Sequence, residues 1–502
     1  MFVSPKCIYT NIEFATIEMS TLLSPVAMPL LPATGSELLE SIRINSDVLA
    51  VDAGGALTID GHAPAALLER YGSPLFVTVE STLRANYRRI HTAFATRWPT
   101  SVNVLYSIKA NNALAVRAIL SSEGAGGDCF GLGELYATLE GGADPRLVVM
   151  NGSNKTEAEI DAAVAQGITI NVDAKDELDF LRVACARHGC RAKVNLRLKV
   201  LPPELDHHVN ELHKSAHGYV ANLRRVKWGF VTEGARTLVE ALQRMQCVEL
   251  TGYHCHVGHL SKAPGASAAV AGAVAAAVSE LARATGFYPR VLDLGGGWAP
   301  QRDPSFREAG RQVFGVEDYA AATTAALREG LGTDAPLPAL WIEPGRYIVS
   351  NAVVLLASVG TVKCDAGLCW MHVDASTNNL PRIESGHFYY TVLPATRMNE
   401  SFTGPVEIVG STCFRSLIGG ARPMPAPQRG DIVAILDAGM YAEVFSNQFN
   451  GVPRPGGVLL SGYGVDEIRQ RETIDDVFRL QRMPAWLAQI APRWSAALDE
   501  AQ

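Results

Sequence analysis

The chain has 502 residues, 48% of them hydrophobic and 19% charged, which is the balance of an ordinary globular protein with room for two or three domains. A net charge of −7 argues against nucleic acid or anionic membrane as a general partner. The nine cysteines are scattered without a CxxC pair, which predicts free thiols in a reducing cytoplasm and neither a disulfide framework nor a structural zinc site.

Residues 1–35 carry Glu13, Glu18 and prolines at 25, 29 and 32. That is a poor signal peptide, and it reads as a disordered extension or an over-called start, with Met19 and Met28 as alternative starts. Residues 36–79 hold short β-type runs at Leu57-Thr58-Ile59 and Pro74 to Val77 and are expected to join a later β domain. From about 80 to 345, apolar runs alternate with helical stretches. The strand candidates are Val102 to Ser107, Gly127 to Phe130, Leu147 to Met150, Ile168 to Val172, Lys193 to Leu198, Leu250 to Val257, Val291 to Leu294 and Leu340 to Ile342. Eight such strands with helical connections predict an α/β chain built on a (β/α)8 barrel. Ala266 to Ala284 is broken by Gly272, Ser279 and Glu280, so it reads as a packed amphipathic helix, and no run reaches membrane-spanning length. Residues 346–502 change to short β runs divided by Gly, Pro, Asn and Ser, which predicts a mostly antiparallel β-barrel or sandwich ending in a helix.

Nearly every barrel strand ends in a polar or glycine-rich signature, and in such barrels those ends build the active site. Lys109 follows the apolar run Val102 to Tyr106. Desolvation there would lower its pKa and free the amine for a Schiff base; a salt-bridged or snorkelling lysine is the plain alternative. Gly295-Gly296-Gly297 lets backbone approach an anion, most plausibly a phosphate, or simply makes a tight turn. Glu343-Pro344-Gly345-Arg346 sets a carboxylate and a guanidinium at the last strand end. Arg346 suits a phosphate and Glu343 a pyridinium nitrogen, unless the two pair with each other. His254 and His256 share one face of a strand, as in metal-dependent barrel hydrolases, with Asp128, Asp173 and Asp293 as further possible ligands. Cys413 reads as a buried hydrophobe or a catalyst, and Tyr441 as a phosphate donor or a core cap.

Taken together, the ordered motifs resemble the pyridoxal-phosphate decarboxylases of the alanine-racemase fold, especially the diaminopimelate and ornithine decarboxylases. They run from about Leu75 to Arg471: Tyr106-Ser-Ile-Lys-Ala-Asn111, Gly127 to Leu135, Lys227-Trp-Gly-Phe230, His256-Val-Gly258, the glycines 295–297, Glu343 to Arg346, Cys413, Asp437 to Tyr441, Phe449-Asn450 and Pro453-Arg-Pro455. The resemblance implies a homodimer with shared sites and pyridoxal 5'-phosphate as cofactor, held covalently by Lys109 with His256 stacked on its ring. Glu343 would meet the ring nitrogen, and Gly295, Gly296, Gly297, Gly345, Arg346 and Tyr441 would cradle the phosphate. Asp128, Glu134 and Arg197 would support the cofactor and its lysine, and Cys413 would protonate the product carbon in the partner's site. No metal is implied.

Two departures bear on substrate. His259 replaces the family's phosphate-binding serine. Cys413 is followed by Phe414-Arg415-Ser416-Leu417, where family members place acids that meet a distal ammonium. Burying that ammonium against Phe and Leu costs several kcal/mol. Arg382, in Asn378-Asn-Leu-Pro-Arg382, keeps the place of an arginine that binds a substrate carboxylate, and Arg415 either adds a second cation or points to solvent. The expected substrate is a non-standard amino acid with an apolar or carboxylate-bearing tail, used in specialised biosynthesis such as that of a siderophore. The alternatives are a diaminopimelate or other diamino-acid decarboxylase, a racemase of the same fold, or, in another class, the metal-dependent hydrolase.

Overall fold

Runs such as Val102–Ser107 and Val148–Asn151 are buried almost throughout, so both faces need cover, and a barrel wrapped in helices provides it. In the computed structural model, which describes residues 32–44, 46–208, 218–258, 263–300, 302–303, 314–332, 336–385, 388–414 and 416–488, eight parallel strands close into that barrel. Around the barrel they run Val102–Ser107, Gly126–Phe130, Val148–Asn151, Thr169–Val172, Ala192–Leu198, Val248–Cys255, Val291–Asp293 and Ala339–Ile342, the last pairing back to the first. Residues 1–31 of the expected N-terminal extension, with Met19 and Met28, lie outside the described residues, as do His259 and Arg415.

Helix Pro264–Thr285 is long and apolar enough to cross a membrane by length and composition, which corrects the reading that no run qualifies. Its apolar side is spent inside the protein. Val270, Val274, Val278 and Leu281 are buried in the barrel core, and the helix packs along Val316–Leu331. It ends at Gly286 in the left-handed region, the usual glycine stop.

A second, nine-stranded and mostly antiparallel sheet stands beside the barrel. Strand Val353–Asp365 pairs antiparallel with Leu75–Val79, with Leu368–Val373 and with Ile432–Ile435. All five residues of Leu75–Val79 are buried, because this strand also pairs parallel with Gly456–Ser461 and has apolar cores on both faces. Helix Glu80–Ala95 follows it directly and enters the barrel layer. Cys364 and Cys369 face each other across the hairpin of Val353–Asp365 and Leu368–Val373 and are joined as a disulfide. The expectation of free thiols is therefore corrected at this pair, whose spacing of five gave no CxxC signal but whose strand register brings the two side chains opposite one another. Cys129, Cys185, Cys190, Cys247, Cys255 and Cys413 are free.

Candidate active site

The C-terminal ends of the barrel strands converge on one cavity of about 120 Å3, lined by Ser107, Lys109, His256, Gly296, Arg346 and Tyr441 among others. Lys109 stands on the turn Ile108–Ala110, just past Val102–Ser107. Its Nζ donates to Asp128 Oδ2 at 2.5 Å and to Ser107 Oγ at 3.3 Å. Burial alone pushes the ammonium down, but Asp128 and Glu343 outweigh it and hold the group above its ordinary range. The expectation of an amine neutralised by desolvation is thus corrected, because the counter-ion travels with the lysine. Lys109 is a paired cation here.

Asp128 is fully buried and accepts three donors: Lys109, Ser107 Oγ at 2.6 Å and Asn151 Nδ2 at 2.7 Å. Burial pushes its carboxyl up, yet these partners bring it below the ordinary value. The same Asn151 Nδ2 donates to Glu343 Oε1 at 2.8 Å. Behind Asn151 runs a chain of amides on successive strands. Asn171 donates to Asn151 Oδ1 and Asn195 to Asn171 Oδ1, each at 3.0 Å, while Thr251 Oγ1 donates to Asn195 Oδ1 at 2.6 Å.

Glu343 Oε2 lies 3.4 Å from His254 Nε2, and donor atoms of His254, Asp293 and Glu343 all lie within 4.8 Å of one another. Of the two acids, burial and the neighbouring Glu343 push Asp293 well up. Glu343 is raised by burial and Asp128, but His254 and Lys109 carry the net shift below its ordinary value. Asp293 is thus the acid of the pair that is pushed toward its protonated form. His256 takes no part in this trio; it lies past the strand end, where its Nδ1 accepts from Gly296 N at 3.1 Å. Burial and then the Lys109 charge lower its pKa to about 3, leaving a neutral flat ring on the cavity wall. The two-histidine metal arrangement is corrected accordingly. Asp128 is taken by Lys109, and Asp173 accepts from Gly229 N and lies 3.9 Å from Arg197.

The glycine run is required by space: a Cβ on Gly296 would sit 2.1 Å from the Glu343 carbonyl, and one on Gly295 2.6 Å from the His256 ring. Tyr441 holds a left-handed φ of 54°, and its N donates to Ala110 O at 2.8 Å, so the second sheet delivers the phenol to the lysine turn. The Arg346 and Arg382 guanidinium carbons lie 5.4 and 5.6 Å from the Tyr441 ring centre. Glycines that leave room, two cations, a neutral imidazole face, a buried carboxylate and a lysine side chain fit a flat nitrogen heterocycle bearing an aldehyde and a phosphate.

Other expected residues stand at the rim or away from it. Glu134 Oε2 accepts from Phe130 N at 2.6 Å at the start of helix Gly131–Glu140, and burial raises it to about 7. Lys109 acts on it through its charge. Arg197 lies 5.4 Å over the Trp228 ring and faces His256 only through its charge. Cys413 is exposed and does not line the cavity; its N donates to Asn450 Oδ1, and Phe414 meets Phe449 edge-to-face at 5.9 Å. Sequence reading placed Asn151-Gly152 among the strand-end signatures without a role, left Ser107, Asn171 and Asn195 out of the site, and gave His254 and Asp293 no role beside Glu343. An asparagine at matching positions of three consecutive strands was the available signal.

The model of the family described as "Pyridoxal-dependent decarboxylase, pyridoxal binding domain" matches residues 80–350. A diaminopimelate decarboxylase of Methanothermobacter thermautotrophicus is 30% identical over 88% of this chain and 98% of its own length, and one of Archaeoglobus fulgidus is 32% identical over 86% and 98%. The crystal structure of diaminopimelate decarboxylase from M. jannaschii with L-lysine superposes with a TM-score of 0.81 at 28% identity, covering 89% of this chain and all of that one.

Proposed function

This chain belongs to the pyridoxal-dependent decarboxylases, and on that premise we propose that it removes the α-carboxylate of an amino acid whose far end also carries a carboxylate. The observation that carries the proposal is full-length likeness to diaminopimelate decarboxylases combined with Arg382, whose guanidinium carbon lies 5.6 Å from the ring of the cavity residue Tyr441. Diaminopimelate, which has a carboxylate at each end, is the first substrate to test. When bound, pyridoxal phosphate supplies an electron sink for the carbanion left as CO2 departs. In this reading Lys109 Nζ holds it covalently, Glu343 keeps the proton on its ring nitrogen, and His256 covers one face. Gly295 to Gly297, Arg346 and Tyr441 hold the phosphate. Cys413 Sγ serves a second copy of the chain by returning a proton to the carbon that lost CO2.

A second reading is favoured by Phe414, 53% exposed and packed on Phe449 where an acid would meet a distal ammonium. It keeps the distal carboxylate and drops the ammonium, which is the non-standard substrate expected from the sequence. The test is CO2 release from the purified enzyme with meso-diaminopimelate, with its analogue lacking the distal amino group, and with lysine. Turnover of diaminopimelate selects the first reading. Preference for the mono-amino dicarboxylate selects the second, and release from neither dicarboxylate refutes both.

A further inference from the structure

Two buried carboxylates with different tasks share one amide. Asn151 Nδ2 lies 2.7 Å from Asp128 Oδ1 and 2.8 Å from Glu343 Oε1, so its two hydrogens are divided between the counter-ion of Lys109 and the acid at the floor of the cavity. Its own oxygen accepts from Asn171 Nδ2, whose oxygen accepts from Asn195 Nδ2, whose oxygen accepts from Thr251 Oγ1. Asn151, Asn171, Asn195 and Thr251 are all buried. Every donor in this chain points the same way, toward the carboxylates. Aligned hydrogen bonds polarise one another, so the terminal amide is a stronger donor than an isolated one.

We infer that Asn151 is a positioning residue that fixes Asp128 and Glu343 relative to each other and keeps both ionised, with Asn171 and Asn195 reinforcing it from behind. Without such a donor, two acids facing one barrel interior would resolve their repulsion by taking up a proton. The charged and titratable groups facing the pair are Lys109, Cys129, Glu134, His254, His256 and Asp293. Lys109 is tied to Asp128 by the ion pair, His254 meets Glu343 at 3.4 Å, and Ser107 Oγ reaches the Asp128 carboxylate but only the backbone carbonyl of Glu343, so among the described residues Asn151 is the one side chain hydrogen-bonded to both carboxylates. The inference rests on the reading of Lys109 and Glu343 given under Proposed function.

The test is the dissociation constant of pyridoxal phosphate, followed by tryptophan fluorescence across pH, for the wild type and for Asn151→Ala, Asn171→Ala and Asn195→Ala, alongside thermal midpoints of the cofactor-free proteins. Losing a hydrogen bond to a charged group weakens binding roughly tenfold or more in Asn151→Ala. The same loss moves the acid limb of the binding profile upward by about one pH unit, since both acids then protonate more easily. Asn171→Ala gives a smaller shift in the same direction, and Asn195→Ala one smaller still. A purely structural role lowers the thermal midpoint and weakens binding equally at every pH; an unmoved acid limb therefore overturns the inference. Equal shifts in all three variants overturn the graded chain. Lys109→Ala is the separate control: if that variant still retains cofactor after borohydride reduction, the functional reading itself has failed, whatever Asn151 does.

Discussion

Lys155 and Glu177 form an ion pair at 3.1 Å with side chains only 1% and 2% exposed, close behind the strand ends that carry the site. The ammonium also donates to Gly152 O at 2.6 Å and Asn171 O at 2.8 Å, whereas Glu177 Oε2 accepts one weaker bond, from Asp173 N at 3.3 Å. Burial pushes Glu177 up to about 7 against the pull of Lys155, and the same burial lowers Lys155. Lys155→Met removes the compensating charge and is expected to cost about 3–5 kcal/mol, the range for an orphaned buried ion. The penalty depends on pH because the acid can escape it by protonation. A carboxyl whose folded pKa lies above its unfolded value of 4.5 contributes stability that is whole below about 4.5 and is lost as pH climbs through about 7. In Lys155→Met the folded value climbs further, so the destabilisation relative to wild type should be roughly 1–2 kcal/mol at pH 5 and should reach the full range above pH 8. Glu177→Gln leaves the ammonium its two carbonyls and should cost only ~1–3 kcal/mol. The double variant Lys155→Met/Glu177→Leu should return to within ~2 kcal/mol of wild type, since no charge is then buried. Denaturant unfolding of the four cofactor-free proteins at pH 5 and 8.5 measures each term. A cost below about 1 kcal/mol for Lys155→Met at pH 8.5, or a cost that grows toward acid, would refute the reasoning.

Three further outcomes are expected. Gly296→Ala drives a Cβ to 2.1 Å from the Glu343 carbonyl, so it should destabilise the barrel by about 2–3 kcal/mol and weaken phosphate capture, both read from thermal shift with and without pyridoxal phosphate. His256, lowered to about 3 from 6.5, contributes stability that is present above pH 6.5 and lost as pH falls through about 3. His256→Gln should therefore unfold with a flatter acid limb, the difference reaching about 2–4 kcal/mol after allowance for its partly open edge. Cys413→Ala should leave cofactor affinity unchanged, because Cys413 is not among the residues read as holding the cofactor, while slowing product formation or misplacing the returned proton; mass spectrometry of products formed in deuterated water would show normal labelling if the cysteine had no part.

The barrel was legible because buried parallel strands are written as short apolar runs, and all eight expected runs became its strands. Lys109, the glycines 295–297, Glu343 and Arg346 were legible too, since residue types so costly or so permissive stand out beside apolar neighbours. The sequence alone determined this much: an α/β chain with a lysine at a strand end and a glycine run at another. Only the tertiary structure decided the electrostatics. Lys109 became a paired cation because the next strand sets Asp128 2.5 Å from it, and Asp293 is pushed up by burial and by Glu343 while His254 and Lys109 hold Glu343 down. Asn151, Asn171 and Asn195 each stand on an expected strand or at its end, but they become a directed chain only when three strands align in parallel register. Likewise Cys364 and Cys369 meet only through hairpin pairing. Local sequence marks which groups are unusual, but the sign of a buried charge depends on neighbours far along the chain, and those are chosen by how the strands close.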